Sequence, residues 1–337
     1  MSFFKLPAVM KSIVVFILMV NMIKNRETAL FSLKTLILIT ALSAIIGILQ
    51  EIIFFYKGIE IAGVIQEDVK RFMWQETPFG TLMRVPAFTS WYTILANHLS
   101  IALIVGINFI LYSILTKKKE KLFLYIAMIL MSIALYFTFS YSSILIVLSA
   151  FIFSIMLRWI SLKIYVTLFF VILLLGFFSG FIPDFLADPK KYFMTEDLSI
   201  RIELLRDGIT GFLNRHPFIG NGVGTGHKYT SNIDLWPVHN NFVLIADEIG
   251  LFGLLTYCIF FFAFIFRQVM SISKIKNTKD RAIALSLIIA FIAYLINLQL
   301  QAQHIDFFIF LYLGLIEAII STLSSQTAVE ISAKRKV

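Results

Sequence analysis

The sequence predicts an all-α, multispanning integral membrane protein of about nine transmembrane helices, with a large extracytoplasmic loop before the seventh. Three observations carry this. Hydrophobic residues make up 59% of the 337-residue chain and the mean hydropathy is +0.88, more than a soluble domain with a single core can hide. Apolar windows long enough to cross roughly 30 Å of hydrocarbon recur along its length. Between them the Lys and Arg residues fall in short clusters, the pattern of orientation signals.

The first window, near 6–23, follows a short basic start and lacks a small-x-small cleavage site, so it reads as a retained helix. Further windows lie near 33–54, 91–115, 122–139, 142–157, 163–182, 242–266, 282–300 and 307–323. Only the polar SYSS separates the fourth from the fifth. KNRE at 24–27, KKKEK at 117–121, Arg158 with Lys163, the basic stretch 267–281 and KRK at 334–336 all fall on one side by alternation. That side is cytoplasmic by the excess of Lys and Arg. The same alternation leaves two long segments outside, roughly 55–90 and 183–241, with the N-terminus outside and the C-terminus inside. The chain so divides into N-terminal transmembrane helices (1–182), an extracytoplasmic loop with a short amphipathic helix (183–241), C-terminal transmembrane helices (242–323) and a cytoplasmic tail (324–337).

Charge and cysteine narrow the function classes. The net charge of +9 belongs to the interhelical clusters rather than to a basic face, which argues against nucleic acid as a partner. The one cysteine, Cys258, lies in an apolar run, which excludes an internal disulfide and argues against a cysteine-based metal site.

The chemistry is concentrated in the second outer segment. An amphipathic helix is expected over about Leu198 to Leu213, with Ile202, Leu205, Ile209 and Phe212 at helical spacing. Arg201 and Arg206 lie on it, five residues and therefore about 140° apart, so both cannot aim at one buried ligand from a regular helix. An arginine is a fixed fork of donors suited to phosphate oxygens, and equally a solvated or headgroup-binding residue. Glu203 and Asp207 could hold it in a structural pair. HPFIGNGVGTG follows, with Pro217 and glycines at 220, 222, 224 and 226 marking a tight, irregular path. It is neither a Walker loop nor a dinucleotide fingerprint; the plain reading is a turn that closes the loop.

His239 and Asn240 stand where the seventh helix begins. Unsatisfied N–H groups and partial positive charge at a helix start disfavour an imidazolium, leaving a neutral histidine able to accept a proton. An N-cap cluster, with Asn240 or Asn241 capping, fits the same residues. Farther along, Asn240, Asp247 and Leu254 share a face at seven-residue spacing, with Glu248 far round the helix from His239. Acidic residues within a span are functional candidates or bury against a partner helix. Ala246, Gly250 and Gly253 read as a small-residue packing face. Asn97 and His98 in the third helix read as interhelical hydrogen-bonding groups, and the QLQAQHID exit within 298–306 as interfacial. In the first outer segment Arg84 stands just before the third helix, with Lys70 and Arg71 as weaker candidates.

In this order, SIRIELLRDG, HPFIGNGVG and VHNNFVLIADEIGLFGLL resemble the O-antigen ligase and O-antigen polymerase superfamily, over Ser199 to Leu255. The resemblance implies a membrane glycosyltransferase at the extracytoplasmic face of the bacterial cytoplasmic membrane, whose donor is a glycan on undecaprenyl diphosphate. Carried over by position, Arg201 would hold the diphosphate with Arg84 and Arg206, and His239 would deprotonate the acceptor hydroxyl. His216 and Asn240 would support them. The residue after the loop arginine that is aromatic in the family is replaced around Leu205. Partners implied are the lipid-linked oligosaccharide, the bilayer, and beyond them flippase and chain-length regulator proteins. No cofactor or metal is called for, since arginines supply the charge and the outer segments carry no Asp-x-Asp. A polymerase of repeat units is the first expectation and a ligase the second; a lipid-linked oligosaccharide transporter would have no need of a base.

Overall fold

The computed structural model describes residues 6–59, 74–77, 80–89, 91–159, 196–222, 240–299 and 307–334. Among these residues the chain forms nine helices and one two-stranded hairpin: α1 (Leu6–Met22), α2 (Arg26–Lys57), β1 (Trp74–Thr77), β2 (Gly80–Met83), α3 (Tyr92–Leu111), α4 (Lys118–Phe137), α5 (Tyr141–Trp159), α6 (Glu196–Asn214), α7 (Asn241–Ile272), α8 (Thr278–Leu298) and α9 (Phe307–Lys334). Six of them, α2, α3, α4, α7, α8 and α9, are long and apolar enough to cross a membrane, while α1 and α5 hold shorter apolar stretches. The eight apolar helices follow the expected windows; the window at 163–182 lies outside the described residues. Exposed Phe31, Ile39, Ile129 and Phe262 are 69%, 58%, 62% and 73% accessible, the mark of surface that faces lipid rather than a protein core.

The chain divides into two compact units. The larger takes in 3–151, 263–297 and 305–337. Here α2 packs on α3, α4 and β2, and α1 runs along α9. Small residues permit the close crossings: Gly314 of α9 faces Phe16 and Met19 of α1, Gly106 of α3 faces Met128 of α4, and Gly47 of α2 faces Val85.

Local rules explain the helix ends. α2 begins in a reciprocal capping box, in which the Asn25 side chain accepts from Thr28 N–H and the Thr28 hydroxyl faces the Asn25 N–H. It ends on Gly58 in the left-handed region, φ 61, the backbone state glycine tolerates at a helix C-terminus. The polar break at SYSS is a turn over 138–140, where the Thr138 hydroxyl donates to the Leu135 carbonyl.

Three contacts set one end of the larger unit. Arg26 donates to Asp280 at 2.6 Å, Lys34 to Glu120 at 2.9 Å, and the Thr322 hydroxyl to the Ile23 carbonyl at 3.0 Å. The connections α1–α2, α3–α4 and α7–α8, each of them basic, therefore share an end, as alternation of spans requires. Inside the bundle Asn297 of α8 donates to Asn97 of α3 and to Ser143 of α5 at 2.7 Å, while His98 Nδ1 meets the Tyr312 hydroxyl at 2.6 Å. Asn97 and His98 are thus interhelical hydrogen-bonding groups, the arrangement that stabilises helix pairs where water is absent.

Two features depart from the sequence reading. The first outer segment holds an antiparallel hairpin, with Trp74 opposite Met83 and Thr77 opposite Gly80, which four-residue strands without clear alternation do not announce. Also, α7 is not one continuous helix: Gly250 has φ 76 and ψ −175. Leu254 therefore does not continue the face of Asn240 and Asp247, and Gly250 does not act as a helix-packing residue. It breaks the helix.

Candidate functional site

The smaller unit comprises 1–2, 152–262 and 298–304, and its described residues include the last part of α5, α6, the turn that follows it, α7 as far as Phe262, and Leu298 with Gln299. α6 is continuous from Glu196 to Asn214, so Arg201 and Arg206 keep their separation of about 140° in position. Arg206 is exposed. The buried side of the helix is formed by Leu204, 1% accessible, and Gly208. Ile209, from the expected apolar stripe, is 41% accessible. Gly211 lies beside α7: a Cβ on it would be 3.6 Å from Asp247 Oδ1. Leu205 and Phe212 of that stripe are half-buried, so the stripe is not the buried side of α6.

The turn 215–222 then docks on the break in α7. Gly220 N–H donates to the His216 carbonyl at 2.8 Å, closing the turn, and Gly220 and Gly222 adopt φ 75 and 105. Asn221 N–H reaches the Asp247 carbonyl at 2.7 Å and Gly222 N–H the Glu248 carbonyl at 2.9 Å. In return Leu251 N–H donates to the Pro217 carbonyl at 2.8 Å. Breaking the helix at Gly250 frees backbone groups, and the turn satisfies them. Such close backbone approach requires both glycines: a Cβ on Gly220 would strike the Glu248 carbonyl, and one on Gly250 the Phe218 carbonyl.

Asp247 sits within this clasp, 2% accessible. Its Oδ1 accepts from Asn221 Nδ2 at 2.6 Å, and it feels the charges of Glu248 and Arg215. The carboxylate thereby links the turn to α7.

The start of α7 is fixed by amide side chains. Asn240 Oδ1 accepts from Val243 N–H at 3.0 Å, the N-cap bond, and its Nδ2 donates to the Gln299 carbonyl at 3.2 Å. Gln299 Oε1 accepts from Phe242 N–H at 3.1 Å. Asn241, fully buried, donates to the Tyr257 hydroxyl at 3.0 Å. His239, like Lys70 and Arg71, lies outside the described residues, as do the glycines at 224 and 226. His216 is exposed at the head of the turn.

Arg84 belongs to the larger unit. It donates to the Tyr92 hydroxyl at 2.8 Å and to Gln75 Oε1 at 2.6 Å, and its guanidinium carbon lies 5.0 Å from the centre of the Tyr92 ring. The candidates thus distribute as Arg201, Arg206, His216 and Asn240 in one unit and Arg84 in the other. Sequence reasoning passed over Asn221, Arg215 and Gln299. The partner of Asn221 is 26 residues away and that of Gln299 is 59, beyond any periodic signal.

This arrangement is a helix that carries two arginines among four carboxylates and a capped helix start, with their backbones joined through a glycine clasp. Guanidinium groups and a helix N-terminus both stabilise phosphate. Residues 126–258 match the family model described as O-antigen ligase. The match runs from α4 into α7 and includes α6, the clasp and the His-Asn start; Arg84 lies before it. It covers the stretch that carries the sequence resemblance and supports the O-antigen ligase/polymerase-like superfamily. The match supports an O-antigen ligase/polymerase-type function in general, the family being one of glycosyltransferase-like enzymes, and together with the apolar helices it supports a multi-pass membrane protein. No curated protein matches the chain.

Proposed function

We propose that the chain is a metal-independent, inverting glycosyltransferase that polymerises undecaprenyl-diphosphate-linked oligosaccharide repeat units into surface polysaccharide, such as O-antigen, capsule or exopolysaccharide. The observation that carries this reading is the family match across α6, the clasp and the start of α7, which spans Arg201, Arg206, His216, His239 and Asn240 in sequence.

His239 takes the proton of the acceptor hydroxyl as its oxygen attacks the donor's anomeric carbon. The new glycosidic bond forms while the bond from that carbon to the diphosphate oxygen breaks. Undecaprenyl diphosphate departs, its developing charge held by Arg201; Arg206, about 140° round α6, meets it less directly, and Arg84 is a further diphosphate-binding candidate. Diphosphate is already a good leaving group, so the reaction asks for charge stabilisation and a base more than for a general acid. Asn240 caps α7 beside the base, and the clasp holds α6 against the same helix; His216 supports at the turn. The reaction takes place at the extracytoplasmic face of the cytoplasmic membrane. Flippase and chain-length regulator proteins are the partners such a polymerase would work beside.

The test is deletion of the gene, followed by analysis of lipid-linked and surface glycans and complementation with wild type or His239→Ala. Accumulated single repeat units, lost long chains and a mutant that fails to complement are the expected results. Long chains that persist on undecaprenyl diphosphate without reaching a final acceptor would identify a ligase instead. Full complementation by both His239→Ala and Arg201→Ala would remove the mechanism.

A further inference from the structure

Between β2 and α3 runs a short strap, Met83 to Ala87, with Arg84 as its one charged residue. Its neighbours point into the larger unit: Met83 and Val85 are 0% accessible and Ala87 is 6%. Arg84 alone among 83–87 is not buried.

The strap is held at three points. Glu51 Oε2 accepts from Met83 N–H at 2.9 Å. Val85 N–H donates to the Phe137 carbonyl at 3.2 Å. Gln50 takes both backbone groups of Ala87, accepting its N–H at 2.9 Å and donating to its carbonyl at 3.3 Å. Ala87 has φ 48, a left-handed conformation that costs a non-glycine residue free energy and persists only where its surroundings over-determine it. Gln50 supplies that restraint.

Two adjacent polar residues near the end of an apolar helix are a costly choice. Glu51 is 3% accessible, and its Oε1 is buried without a hydrogen-bond partner, so its carboxyl does not serve packing alone. Among the described residues Arg84, in turn, meets neutral groups, the Tyr92 hydroxyl and ring and Gln75. Among the described residues no carboxylate neutralises it, and its Nε is buried without a partner. A guanidinium oriented by neutral acceptors, with no carboxylate on it among the described residues, is prepared for an anion.

We infer that Gln50 and Glu51 are positioning residues that fix the strap so that Arg84 is presented to the diphosphate of a polyprenyl-linked donor. This rests on the proposed function for the identity of the ligand. Gln50 and Glu51 act through Arg84 and touch no substrate themselves.

The experiment is binding of undecaprenyl diphosphate to the full-length protein purified in detergent, with undecaprenol as the control lacking phosphate. Arg84→Ala is expected to weaken binding by roughly tenfold, the loss of a charge-assisted contact. Glu51→Ala and Gln50→Ala should each weaken it several-fold. Glu51→Gln keeps an oxygen for Met83 N–H and should restore wild-type affinity. The double variant Glu51→Ala/Arg84→Ala should bind no more weakly than Arg84→Ala, because the two act as one unit.

Additive losses in the double variant, or unchanged affinity in both Glu51→Ala and Gln50→Ala while Arg84→Ala binds weakly, would overturn the positioning role and leave the proposed function standing. Should Glu51→Ala fail to yield a monodisperse protein, Gln50→Ala and Glu51→Gln carry the test. Competition by phosphatidylglycerol as strong as that by the diphosphate lipid would assign Arg84 to bilayer headgroups and overturn the inference. Normal diphosphate binding that depends on the strap, in a protein whose deletion leaves every glycan unchanged, would sink the proposed function and leave the strap's role intact.

Discussion

Asn240 stands next to the histidine on which the proposed chemistry turns, and its side chain is committed at both ends, to Val243 N–H and to the Gln299 carbonyl. Replacing it with alanine removes an N-cap, worth about 1 kcal/mol, and one of the two bonds that tie Gln299 to the start of α7. Asn240→Ala should therefore lower thermal stability measurably, while Asn240→Asp, which keeps the cap oxygen, should retain most of it. A stable Asn240→Ala protein with no glycan product would instead put Asn240 on the substrate. His239→Ala should cost activity by about a hundredfold or more, the contribution of a positioned base. Arg201→Ala should cost more than Arg206→Ala, since about 140° of helix rotation separates them and one diphosphate cannot take both equally. In vitro polymerisation with lipid-linked repeat units measures all three. The cap was legible because Asn-Asn directly precedes an apolar run. Its anchor Gln299 was not, because nothing local links residues so far apart.

At the scale of elements, the clasp between the 215–222 turn and α7 decides whether α6 is held. The glycine pattern made an irregular turn legible, and Gly220 and Gly222 do take positive φ. Its dock was hidden, because Ala246, Gly250 and Gly253 also read as a small-residue helix face and only the backbone at Gly250 separates the two. Gly220→Ala and Gly250→Ala each introduce a Cβ into a facing carbonyl and force a left-handed conformation on alanine. Both variants should accumulate poorly or lose activity while the larger unit remains folded, which limited proteolysis of membranes can report. Asn221→Ala strips the donor from a carboxylate that is 2% accessible. It should destabilise by about 1–3 kcal/mol. Asp247→Asn keeps the Oδ1 acceptor and should be the milder change, with stability in detergent as the measurement. Equal losses from the two would mean that the charge of Asp247, not its hydrogen bond, holds the clasp.

Over the whole molecule, hydropathy made the spans legible because each must satisfy its backbone internally in lipid. The hairpin at 74–83 was not, since its strands are too short to set a period. Sidedness joins both scales. Charge counting assigns the basic connections to the cytoplasm, and the Arg26–Asp280 and Lys34–Glu120 pairs bring three of them to one end of the larger unit independently of any charge rule. α2 is 32 residues long, about 48 Å at 1.5 Å per residue, enough to carry its Gln50–Glu51 end and the Arg84 strap to the opposite face. This yields a direct test. In a Cys258→Ser background, single cysteines are placed at the exposed positions Ile59 and Phe88 and at Lys117 and Asn277. A membrane-impermeant maleimide should label Ile59→Cys and Phe88→Cys in intact spheroplasts, and Lys117→Cys and Asn277→Cys only after permeabilisation. The reverse pattern would turn Arg84 toward the cytoplasm, where no externally displayed donor could reach it, and the proposed polymerisation at the outer face would fail with it.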